Sequence, residues 1–217
     1  VISSTYTGGR FSTPTQNFGA TVNGAFNSIE STSGGSTAGV ATAITGVANR
    51  VANSNGVLVY GAGNEITNSS TSFSTPGESA TSAKDFADKL KTAVTSSNGA
   101  GATMAFGGGN KADYTLRTSM IGVNNTVTGV RGNQSKDNLA IGVGNTGTKV
   151  QHMTVIGSKN TVSDANNTLV LGDNRTVTSA NNTVILGSSD NGTTTTVNDA
   201  VAVGHNTEVS TVGGAAI

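Results

Sequence analysis

Apolar residues in this chain arrive in pairs just ahead of a glycine, and the pairs recur down the sequence. Two residues before the glycine stand Val22, Ile44, Val59, Ala105, Met120, Ala140, Val155, Val170, Ile185 and Ala202. Immediately before it stand Tyr60, Phe106, Ile121, Ile141, Ile156, Leu171, Leu186 and Val203, with Asn23 and Thr45 in the remaining two copies. The glycines are Gly24, Gly46, Gly61, Gly107, Gly122, Gly142, Gly157, Gly172, Gly187 and Gly204; five of the nine intervals are 15 residues and the others are 22, 46, 20 and 17. A period this short, with strand chemistry in each copy, predicts a solenoid of stacked rungs. Neighbouring residues on a strand point to opposite faces, so both faces of this strand are apolar. One face fills the inside of a coil. The other needs a cover, and a second copy of the same chain is the simplest one.

After each glycine comes a short turn rich in Asn, as in Asn125-Thr126-Val127, Asn145-Thr146, Asn160-Thr161-Val162, Asn174-Arg175-Thr176-Val177 and Asn206-Thr207-Glu208-Val209. Gly and Asn tolerate left-handed backbone angles and suit a tight corner. Five residues past the glycine the chain is apolar again at Ile29, Val51, Ile66, Ala112, Val127, Val162, Val177 and Val209. Two strands, two corners and about 15 residues per coil predict a flattened β-roll, and ten rungs at ~4.8 Å stand about 45–50 Å tall.

The interval between Gly61 and Gly107 holds an insertion. Residues 67–78 are Ser/Thr-rich and contain Pro76-Gly77, a loop signal. Over 79–95 the period changes: Ala83, Phe86, Ala87, Leu90 and Val94 share one helical stripe, with Ser79 or Thr81 as N-cap and Asp85 and Lys89 as an i,i+4 pair. A helix this short needs to dock on something. Smaller insertions are expected at 30–42, 131–137 and 188–198. The organisation expected is therefore a cap at 1–19, first rungs at 20–66, a loop-and-helix insertion at 67–99, and the main rungs at 100–217.

Composition narrows the function classes. Twelve Lys and Arg balance twelve Asp and Glu, and no basic stripe interleaved with aromatics occurs, which disfavours nucleic acid as a partner. Charged residues are 11% of the chain, against a globular norm of about 25%. Aromatics are 4% and Trp is absent, so the interior must be narrow and filled by small side chains. Without cysteine there are no disulfides, thiolate metal sites or cysteine nucleophiles. No run of 18 apolar residues exists to span a membrane as a helix. Opening on Val1, the chain is expected to be a piece of something longer.

The serial repeat resembles the YadA-like head of trimeric autotransporter adhesins, whose repeat has an Asn-x-Val-Ala-Ile-Gly core. That core stands here as Asn138-Leu139-Ala140-Ile141-Gly142, Asn167-Thr168-Leu169-Val170-Leu171-Gly172, Asn182-Thr183-Val184-Ile185-Leu186-Gly187 and Asp199-Ala200-Val201-Ala202-Val203-Gly204. The likeness covers 100–212 strongly and 20–66 in degenerate form, while 1–19 and 67–99 depart from it. It implies an all-β fold, a left-handed parallel β-roll packed as a homotrimer, to which this chain is expected to add its one short helical insertion. It also implies a non-enzymatic role at the bacterial cell surface. That role is attachment to host matrix or receptor proteins, or to other bacteria, with a C-terminal outer-membrane anchor that lies outside this sequence. The resemblance carries over no ligand-binding, catalytic, metal or cofactor residues.

Two other classes compete with adhesion. Left-handed β-helix acyltransferases of the hexapeptide type also carry Ile-Gly steps, but their coils have 18 residues rather than 15. His152 and His205 are the only candidates for a catalytic base, and nothing recurs around either. An ice-binding β-solenoid needs a flat file of threonines. Thr126, Thr161 and Thr176, with Ser28 and Thr146, supply one, interrupted at the same offset by Arg50, Glu65, Lys111 and Glu208. The β-propensity of threonine explains the file as well. The segment Gly107–Asp113 is similar to a calcium-binding nonapeptide, but it occurs once, where such sites need consecutive repeats.

Overall fold

The computed structural model describes residues 1–4, 16–32, 37–72 and 80–217. Each coil contributes one strand to each of two parallel sheets. The larger sheet has 11 strands, from Thr21–Ala25 through Ser135–Val143 to Ala215–Ala216. The smaller has ten, from Ile2–Ser4 through Thr126–Thr128 to Thr193–Thr195. The chain is a parallel β-solenoid.

The repeat glycines stand in register from Gly24 to Gly157. Irregular intervals do not disturb this stacking. Leu58–Ala62 pairs directly with Met104–Gly108 and Glu65–Thr67 with Lys111–Asp113, so the long interval adds no rung to either sheet. The glycine column is a steric requirement. Gly142 has φ +123, and a Cβ there would run into the carbonyl oxygen of Gly157 in the next rung. The same collision awaits a Cβ at Gly46 against Gly61.

Between the sheets lies a narrow core. Ile44, Val59, Ala105, Met120, Val155, Val170 and Ile185 point inward from the larger sheet. Ile29, Val51, Ile66, Ala112, Val127, Val162 and Val177 point inward from the smaller one. Both columns match the apolar positions read from the repeat. Gly147 interrupts the second column, and the Met153 side chain occupies the space a larger residue would fill.

The Asn-rich turns are organised differently from the sequence expectation. The left-handed corners fall at Asn124, Lys159 and Asn174, two residues after the glycine, with φ 55°, 58° and 59°. Asn125, Asn145 and Asn160, one residue later, are buried and point into the roll. With Asn27, Asn49, Asn64 and Asn110 they form a ladder. Oδ1 of Asn125 accepts from the Asn145 backbone N–H at 3.2 Å and from its Nδ2 at 2.9 Å, while Nδ2 of Asn125 donates to the Gly142 carbonyl at 2.9 Å. Every amide thereby satisfies its own hydrogen bonds and two backbone groups of the next rung. The same pattern runs from Asn27 to Asn160. The coil also turns at more than two corners: Lys149, Asp164 and Ser179, seven after the glycine, have φ 52°, 48° and 52°.

The helix spans Ala83–Ser96. Its N-cap is Ser82, whose Oγ accepts from the Asp85 backbone N–H at 3.1 Å, rather than Ser79 or Thr81. Ser79 lies outside the described residues, and Thr81 instead donates its backbone N–H to Asp85 Oδ2 at 2.8 Å. The expected Asp85–Lys89 pair forms at 2.9 Å. None of the helix residues is buried, and Phe86 meets Phe18 of the roll at 4.7 Å between ring centroids. Within the expected insertion at 188–198, Thr193–Thr195 forms a strand of the smaller sheet.

Candidate binding surfaces

A strand that faces the core with alternate residues presents the others outward. On the larger sheet these outward positions are apolar over nearly the whole column. Tyr60, Phe106, Ile121, Ile156 and Leu171 are exposed, with Tyr60 at 54% and Leu171 at 38%; Ile141, Leu186 and Val203 are partly so. Tyr60 and Phe106 stack with ring centroids 5.2 Å apart. Stepping two residues either way along the strands widens the stripe. Leu58 and Val201 extend it on one side, and Val47, Val123 and Val143 on the other, all exposed. Monomeric soluble proteins rarely leave so extended an apolar face in water.

The outer face of the smaller sheet has the opposite character. Thr126, Thr146, Thr161, Thr176 and Thr194 stand in register on consecutive rungs. Two residues on, Thr128, Thr148, Ser163 and Thr178 form a second column beside the first. The charges that interrupt the file in sequence all fall at its ends. At the N-terminal end Arg50 bridges Glu30 at 2.8 Å and Glu65 at 2.7 Å, and Lys111 approaches Glu65 at 3.4 Å. The hydrogen bond from Arg50 holds the Glu30 carboxyl below the usual carboxylate range. Glu208 follows the last rung of the file.

The two histidines do not share a site. His152 sits at a left-handed corner with φ 52°, largely exposed, 3.7 Å from Asp137. Asp137 is held mainly by Arg117 through Nε at 2.5 Å and Nη2 at 3.1 Å, and these bonds push its pKa down. His205 Nε2 lies 3.0 Å from Asp190 at the other end of the column. Among the described residues no serine hydroxyl is hydrogen-bonded to either pair. At the calcium-like segment, the Asp113 carboxylate accepts from Thr67 Oγ1 at 2.6 Å and Asn68 Nδ2 at 2.8 Å. Among the described residues no cluster of His, Cys, Asp or Glu is arranged to hold a metal ion.

Sequence reasoning found one column on each outer face and missed its neighbours. The signal was present: positions two residues away on the same strand share the face. It also missed the inward asparagine ladder, because an Asn beside a glycine reads equally well as a corner residue. Comparison with protein-family models, curated proteins and solved structures finds no match for this chain.

Proposed function

We propose that this chain is the head of a trimeric, surface-displayed bacterial adhesin, built as a left-handed parallel β-roll. The observation that carries the proposal is the unbroken apolar outer face of the larger sheet, from Leu58 and Tyr60 to Val201. Three copies packed about a common axis remove this face from water and leave the three threonine faces outward. The repeat's likeness to YadA-like heads supports the same assembly. Partners are then host matrix or receptor proteins, or the surface of another bacterium, held by non-covalent contacts without catalysis. Three equivalent surfaces on one rigid tip convert modest single-site affinities into strong attachment. The scarcity of charge favours shape and Thr/Asn hydrogen bonding over electrostatic capture.

Light scattering on a size-exclusion column tests the assembly, with about three times the 21.5 kDa chain mass expected. Binding of the trimer to immobilised matrix proteins, or its clumping of bacteria, tests the activity. A stable monomer would defeat the reading. One observation favours a second reading, ice binding: one threonine column runs uninterrupted across five rungs at the ~4.8 Å sheet spacing. Thermal hysteresis in purified protein separates the two, since an adhesin head without ice affinity gives none.

A further inference from the structure

The asparagine ladder stops at Arg175. Its backbone N–H still donates to Asn160 Oδ1 at 2.9 Å, as an asparagine's would. Its side chain, however, enters the roll and is fully buried, at 0% exposure. Nη2 donates to the Thr207 carbonyl at 2.8 Å, whereas Nε and Nη1 are buried without any partner. Among the described residues Arg175 makes no ion pair. Burial lowers its pKa from the ordinary guanidinium value, yet arginine keeps its proton in proteins. An uncompensated charge therefore sits inside the fold, which is one of the most unfavourable arrangements a protein can hold.

A second orphan lies close by in the fold. Thr195 stands in register with Val177, two residues along from Arg175, and also points inward. Its hydroxyl is buried and has no hydrogen-bond partner. Three of the buried orphan polar atoms thus fall on two adjacent rungs, and all three can donate. An open polar cavity of about 540 Å³, lined by neither Arg175 nor Thr195, lies at the same end of the roll. Its walls include Thr193, the register partner of Arg175, and Asn206 and Glu208, which flank Thr207.

We infer that the roll holds a small inorganic anion of chloride size against Arg175, with the Thr195 hydroxyl as a further donor. Two guanidinium nitrogens without acceptors and a positive charge without an ion pair call for an acceptor that carries negative charge. Water satisfies the donors but not the charge. The anion completes the interior where the ladder ends, so it fastens the last rungs to the column.

The test is thermal unfolding of the whole chain in chloride at constant ionic strength, with gluconate as the replacing anion. The midpoint is expected to rise by about 3–5 °C for each tenfold increase in chloride above half-saturation. Arg175→Asn restores the ladder residue and is expected to abolish that response. Thr195→Val, which keeps the shape, is expected to shift half-saturation to higher chloride. Bromide-soaked crystals supply a readout that needs no variant: an anomalous peak beside the guanidinium is expected. Equal chloride responses in wild type and Arg175→Asn, or ordered water alone at that position, would overturn the inference. So would a chloride-independent wild type whose stability falls in Glu208→Gln, because Glu208 would then be the counter-charge.

Discussion

Asn124 and Asn125 are neighbours with the same side chain and opposite roles. Asn124 turns the corner at φ 55° with an exposed side chain, and Asn125 is a rung of the internal ladder. Asn124→Gly keeps the backbone angle and is expected to change stability by less than about 0.5 kcal/mol. Asn125→Ala strands the Asn145 N–H and the Gly142 carbonyl and removes one of the two donors to Asn110 Oδ1. Its expected cost is about 2–4 kcal/mol by denaturant titration. The half-buried carboxylates predict the acid behaviour. Asp137 and Glu30 are both held below their ordinary pKa, chiefly by hydrogen bonds from Arg117 and Arg50. Their contribution is complete above the unfolded value of ~4 and disappears as pH falls through the lower folded values. Because these pairs are about a third exposed, each is worth only about 0.2–1 kcal/mol. Asp137→Asn should flatten part of that acid limb of a stability–pH curve, and an unchanged limb would contradict the assignment.

The helix illustrates what an element can lose without harm. Its residues are unburied, and its ring contact with the roll runs through Phe86 and Phe18. Replacing residues 80–98 by a short flexible linker is expected to preserve the β circular-dichroism signal and shift the midpoint by only a few degrees. The segment from Ala100 is different, because Ala100 and Thr103 are buried and Gly101 packs against the Ser69 and Asn55 carbonyls. Strand positions were legible in the sequence because Ile44 through Ala202 obey one spacing relative to a glycine that sterics forbids replacing. The helix was legible from its change of period, but its cap was not. Thr81 and Ser82 carry equivalent hydroxyls, and only the backbone path decides which faces the Asp85 N–H. Arg175 was illegible for another reason. A charged residue at a corner-like position reads as solvent-facing, and only the stacked neighbours turn it inward.

At the scale of the molecule, two adjacent residues separate folding from assembly. Val170 points into the core and is fully buried, while Leu171 points outward from the same strand. Val170→Asp is expected to unfold the chain. Leu171→Asp is expected to leave a folded protein, by circular dichroism, whose light-scattering mass falls to that of one chain. Equal damage from both would mean that the outer face is needed for folding rather than for association. The stacking has a mechanical consequence as well. Every strand lies across the long axis, so tension between the chain's ends loads the bonds between rungs one row at a time rather than all together. A head of this construction yields by peeling coil after coil at low force. The first coils to go are those beyond Asn160, where the buried amide ladder ends and the amides that link successive rungs, such as Asn167 to Asn182, lie exposed to water. Under a sudden pull it lengthens and dissipates work before the rest of the column lets go.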